Sequence, residues 1–164
     1  MMRHDELVTQ ILSTWRRHDD ILLYLLQQVP AGGLTAVPAG SRGRDVARQF
    51  AHLDRVRRGW LEYHRTGKQT RLPRHHKGPP PTKAFLKKAL RQSGADVERF
   101  LRDALRGDAR PRLFGKEVVR WMGYLIAHES HHRGQIALAL KQSGMRLSDK
   151  VAIEGLWASW IYGK

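Results

Sequence analysis

Residues Tyr124 to Leu140 read YLIAHESHHRGQIALAL. Within and just before this stretch, Val118, Trp121, Leu125, His128, His132, Ile136 and Ala139 follow one another at intervals of three or four. Positions so spaced share one face of an α-helix, so the segment reads as the inward stripe of a long helix. It is predicted to begin after Gly115 and to run to about Ser143, with Gly144 as its stop. Two histidines occupy places where a helical core would normally carry Leu or Ile. Residues i and i+4 are separated by about 6 Å of rise, so both imidazoles can reach one metal ion. The same letters, His128-Glu129-x-x-His132, also spell the zinc-peptidase signature H-E-x-x-H.

Three further helices are predicted upstream. The first runs from about Asp5 to Val29, with Val8, Ile11, Leu12, Trp15, Leu22, Leu25 and Leu26 as its apolar face, and ends at Pro30-Ala31-Gly32-Gly33. The second runs from about Gly43 to Thr66 on Val46, Phe50, Leu53, Val56 and Trp60, with Ser41 as a candidate cap. A polar, proline-rich loop with His75 and His76 covers Gly67 to Pro81. Thr82 is the expected N-cap of a third helix from Lys83 to about Leu105, in which Gly94 marks a candidate kink. A final amphipathic piece spans Val151 to Tyr162. No segment alternates for long enough to read as a strand. The expectation is one all-α domain over residues 1–164, a four-helix bundle with a short additional C-terminal helix.

Composition narrows the chemistry. The chain has no cysteine, so a metal would be held by His, Asp or Glu, and any thiol in a reaction arrives on a substrate. No run approaches the ~18 apolar residues of a membrane span, and no signal-peptide apolar region opens the chain, so the expected location is the cytoplasm. The net charge of +15 raises nucleic acid as a partner. However, the basic residues, Arg16-Arg17, Arg55, Arg57-Arg58 and Lys87-Lys88 among them, are spread over polar helix faces without a nucleic-acid-binding motif. A solvated basic surface compatible with anionic small molecules is the preferred reading.

A catalytic metal site needs a third ligand beyond His128 and His132. His52 on the second helix ranks first, with His18 and Glu154 as alternatives. His4 and His131 lie off the stripe. A thermolysin-like peptidase would use Glu154, but it also needs an edge strand to align a peptide, and none is predicted.

The stretches FAHLDRVRRGWLEY, GYLIAHESHHRGQIALALKQSG and LSDKVAIEGLW carry a resemblance. They are similar to the DinB/YfiT-like family of metal-dependent enzymes, which is distinct from the DNA polymerase of the same gene name. The resemblance implies a four-helix bundle with a divalent metal held by His52, His128 and His132. Zinc is the default, with nickel, iron and manganese as alternatives. It also implies a low-molecular-weight thiol as cosubstrate, a small-molecule substrate and a homodimer. Where many relatives carry an Asn after the Trp of the first helix, this chain has STWRRHDD, leaving His18, Asp19 or Asp20 as candidates to face the metal.

The leading expectation is therefore a metal-dependent thiol S-transferase or related hydrolase. A non-catalytic metal-stabilised stress or interaction protein is the alternative; a metalloprotease and a nucleic-acid-binding bundle rank lower. Glu129 is a candidate general base, with a structural ion pair slightly preferred. Gln135 is a candidate for orienting a ligand imidazole, and Arg133 or Arg55 for holding the carboxylates of a thiol. Trp157 and Trp160 are expected in the core, with a role as cavity walls as the lesser alternative.

Overall fold

The computed structural model describes residues 4–40, 43–69, 71–72 and 78–163. Ser41, His75 and His76 lie outside them. Helices α1 (His4–Gln28), α2 (Val46–Thr66), α3 (Lys83–Arg106) and α4 (Val118–Gln142) form the bundle. Among the described residues there is no strand. The all-α expectation is met, and the four helix ends fall within a few residues of their predicted places.

Local chemistry sets the boundaries. Asp45 caps α2, its Oδ1 accepting from Arg48 N–H at 2.7 Å, so the helix starts a few residues later than the sequence suggested. The expected Thr82 cap of α3 is present, with its hydroxyl accepting from Phe85 N–H at 3.2 Å. Gly67, at φ 74°, closes α2 in the left-handed conformation that glycine adopts without steric cost.

The predicted kink at Gly94 is absent; α3 runs through it unbroken. A Cβ at Gly94 would collide with the Asp19 carboxylate of α1. Trp15 Nε1–H donates to the Gly94 carbonyl at 3.0 Å. The glycine permits close approach of α1 and α3 and does not bend either.

The buried apolar residues fall into two clusters. One holds Leu22, Leu25, Phe50, Leu53, Leu90 and Ile136. The other holds Leu12, Trp15, Val97, Leu101, Trp121 and Leu125. Each fully buried side chain of this size stabilises the fold by about 1.5–3 kcal/mol relative to exposure. On each of the four helices polar or small residues lie between the two clusters: His18 and Asp19, Arg57, Ser93 and Gly94, and Glu129. They meet as one charged layer across the bundle.

Arg57, read from the sequence as a surface cation, is wholly buried at the centre of that layer. Its Nε and Nη2 donate to the two Glu129 carboxylate oxygens at 2.7 Å each. Its Nη1 donates to Asp19 at 2.6 Å, and its guanidinium lies 5.0 Å from the Trp15 ring centroid. His18 Nε2 completes the layer 2.7 Å from Glu129.

Beyond α4 the chain winds as a π-helix over Lys150–Ala158 and ends in the short helix α5 (Ser159–Tyr162). The segment lies against α1. Contrary to expectation, Trp157 is not core: it is 65% exposed, and only Trp160 turns partly inward, toward His18. Packing along one side leaves the segment's outer apolar residues in solvent.

Candidate metal centre

His52 projects from the middle of α2, and His128 and His132 from successive turns of α4. Their ring centroids are 5.2, 4.8 and 4.7 Å apart pairwise. One ring nitrogen from each lies within 4.8 Å of the others, making a three-imidazole group that could hold a metal ion. His132 is buried and the other two are half-buried, so the group sits at the flank of the bundle with a side open to ligands. Glu129, not His128, occupies the centre of the α4 stripe.

The environment keeps these imidazoles uncharged. Burial and the nearby Arg44 guanidinium lower His52 to about 3, with the other histidines and Arg55 adding to the shift. Burial, followed by His128, His131 and Arg44, lowers His132 to about 4. His128 is lowered mainly by burial, against a raising influence from Glu129. Neutral imidazole is the form a metal binds, so the donor set is ready near pH 7.

Hydrogen bonds decide which nitrogens are available. Gln49 Oε1 can only accept, so His132 Nδ1–H donates to it at 3.2 Å and leaves Nε2 with a free lone pair. His128 Nδ1 is buried and has no hydrogen-bond partner among the described residues. Both arrangements suit a ligand histidine. His52 is less settled, because Arg55 Nη2 lies 3.0 Å from its Nδ1. That contact favours the ring proton on Nε2, and a metal at His52 has to displace it.

A match to the family model described as "DinB family" covers residues 1–149. The chain belongs to the DinB family. No curated protein matches it. The three ligands implied by the resemblance are the three histidines that this DinB-family fold brings together.

Other sequence candidates fall elsewhere. The two oxygens of Glu129 are taken up by Arg57 and His18 in the buried layer. Burial alone would raise this carboxyl, but Arg57 and then His18 outweigh it and hold it at about 2. His18 and Asp19 face that layer, and Asp20 is exposed. Glu154 is also exposed and does not join the histidines. The peptidase geometry is therefore missing both its third ligand and its strand among the described residues.

Arg133 donates to Ser130 Oγ at 2.7 Å and lines a second cleft, between α4 and the C-terminal segment. Gln135 is 2.9 Å from His131 Nε2, and its influence on His132 is a minor raising one. Gln49 makes a further orienting contact with His132, beside the hydrogen bond through which Gln135 raises that imidazole slightly. Gln49 sits three residues before His52, a polar residue beside an apolar stripe, and that was the sequence signal for it. Arg44 and Tyr124 were also missed. The Tyr124 ring stacks on His128 at 5.8 Å and 20°.

Proposed function

We propose that this DinB-family protein is a metal-dependent enzyme transferring a low-molecular-weight thiol to a small electrophilic substrate. The carrying observation is the convergence of three neutral imidazoles at a half-open site. A divalent ion held by His52, His128 and His132, with zinc as the default, would lower the pKa of a thiol or water at its open position.

The chain's own residues do the rest. Gln49 fixes the His132 tautomer. Arg44 and Arg55 supply positive potential, which favours the thiolate over the thiol and attracts carboxylates of the thiol or acceptor. Tyr124 walls His128 from solvent on one side. In the transfer, the thiol sulfur forms a bond to the acceptor carbon while the bond from that carbon to its leaving group breaks. The leaving group departs with the electron pair, and the thiol proton passes to solvent.

Glu129 is assigned a positioning role because its oxygens are engaged by Arg57 and His18. That engagement also favours a second reading, a metal-stabilised protein without turnover, since the carboxylate beside the ligands is committed to the fold. A cytoplasmic homodimer is part of the proposal. The dimer is supported by exposed apolar residues of the C-terminal segment, Ile153, Trp157, Ile161 and Tyr162.

Metal content of protein purified without a histidine tag tests the site. Stoichiometric metal in the wild type, lost in His128→Ala and His132→Ala, is expected; metal retained by both variants would falsify the triad. A panel of low-molecular-weight thiols with 1-chloro-2,4-dinitrobenzene tests the reaction. Conjugation that requires the metal supports transfer, and none with any thiol leaves the non-catalytic reading. Sedimentation velocity tests the dimer.

A further inference from the structure

A cleft of about 830 Å³ opens beside the triad. Arg55, Trp60 and Tyr63 of α2, Arg71 and Leu72 beyond it, and Tyr124 of α4 line it. Two of these touch the histidines. Arg55 is the residue 3.0 Å from His52 Nδ1, and Tyr124 is the ring stacked on His128. The cleft therefore borders the candidate metal centre, with Arg55 and Tyr124 as the wall between them. Its volume lies in the range of about 300–1,000 Å³ that suits a whole small-molecule ligand.

The lining has two properties that select a ligand. First, it includes two guanidinium groups and, among the described residues, no carboxylate. A concave site with low-dielectric walls and one sign of charge concentrates ligands of the opposite sign. Second, its aromatic wall is preorganised. Trp60 is stacked on His64 at 5.8 Å and 26°, and Tyr63 and Tyr124 meet it nearly perpendicularly at 6.0 and 5.8 Å. Side chains already ordered by their neighbours lose little freedom when a flat ligand packs against them. Planar guanidinium groups match a carboxylate or sulfonate through paired N–H donors and also stack on flat rings.

We propose that this cleft binds an aromatic anion, a ring bearing a carboxylate or sulfonate, as the acceptor substrate. The anionic group faces Arg71 and Arg55, and the ring lies against Trp60 and Tyr63. The opposite edge of the ring is turned toward the triad. The assignment of the ligand as an acceptor rests on the transfer reaction proposed above; its binding does not.

Calorimetric titration with 1-naphthoate tests the proposal, with neutral 1-naphthalenemethanol and aliphatic octanoate as controls, on metal-loaded and chelator-treated protein. One naphthoate per chain is expected, bound at least about tenfold more tightly than either control. Arg71→Gln and Tyr63→Ala should each weaken it about fivefold or more without changing metal content, because neither residue contacts the histidines of the triad. Far-ultraviolet circular dichroism establishes that both variants are folded. Absence of naphthoate binding, equal binding of naphthalenemethanol or octanoate, or indifference to both substitutions overturns the assignment. If the wild type proves to hold no metal yet binds naphthoate as described, the metal reading falls and the cleft stands. If metal is present and naphthoate does not bind, the reverse holds.

Discussion

Arg57 of α2 and Glu129 of α4 share two parallel 2.7 Å hydrogen bonds in the middle of the bundle, on the two helices that carry the triad. Glu129 lies between His128 and His132 in sequence, and Arg57 lies five residues beyond His52. This pairing therefore fixes the register of α4 against α2 at the depth where the three imidazoles have to meet.

Removing one partner strands a buried charge, so Arg57→Met and Glu129→Gln are each expected to cost about 3–5 kcal/mol of stability. The double variant Arg57→Met/Glu129→Gln is expected to cost less than the sum of the single changes. Urea denaturation of the three proteins measures this. A Glu129→Gln protein of unchanged stability and abolished turnover would show instead that Glu129 acts in the chemistry.

Gln49 and Arg55 should have opposite effects on metal affinity. Gln49→Leu releases His132 from its tautomer and is expected to weaken binding by roughly 10–100-fold. Arg55→Met removes a competing hydrogen bond and a cation beside His52, so it should tighten binding. Competition titration against a chromophoric zinc chelator, at fixed pH and salt, reads both. Arg55→Met binding zinc more weakly than wild type would contradict the account of His52.

His64 makes stability depend on pH independently of the triad. It is buried among Trp60, Phe100 and Trp121, and burial, then Arg112, lowers its pKa from 6.5 to about 4. Well above pH 6.5 it is neutral whether folded or unfolded. As pH falls from 6.5 toward 4, the unfolded chain gains a proton that the folded chain refuses, and stability drops. The loss should reach on the order of 2–3 kcal/mol at the lower end of that window. His64→Phe should flatten this dependence; denaturation curves across the range from neutral to about pH 4 would reveal an unchanged slope if the assignment is mistaken.

Gly94→Ala inverts an ordinary rule. Alanine is favoured over glycine in a helix interior by about 1 kcal/mol. Here its methyl group would strike Asp19, which Arg57 holds in place, so the variant is expected to be less stable and to melt at a lower temperature. Gly94→Ala combined with Asp19→Ala should recover part of the loss at that contact. A rise in melting temperature for Gly94→Ala alone would show that Asp19 moves freely.

Helical period was sufficient to place all four long helices, because the two apolar clusters impose it on each of them. The His128/His132 pair was legible for the same reason: spacing on one helix fixes which side chains meet. What crosses between helices was harder to read. Arg57 resembles its neighbours Arg55 and Arg58 in sequence, and only the simultaneous polar break in all four stripes distinguishes it. Gln49 is marked only as a polar residue beside the α2 stripe, since the imidazole it holds belongs to another helix, and Arg44 acts from before α2 begins, where no stripe position marks it. Trp157 was misplaced because amphipathic spacing presumes a regular α-helix, and the segment is wound as a π-helix with neighbours along one side.

The ion pair at Glu129 also bears on how short motifs are searched. H-E-x-x-H is used as a fingerprint for peptidases on the premise that the glutamate turns toward the metal. A helix that presents its histidines at a flank can spell the same string while its glutamate turns inward to a buried cation. The distinguishing letter then lies outside the string, in an arginine five residues past a histidine on another helix. In this chain that letter is Arg57, and its pairing with Glu129 is what turns the glutamate away from the histidine group.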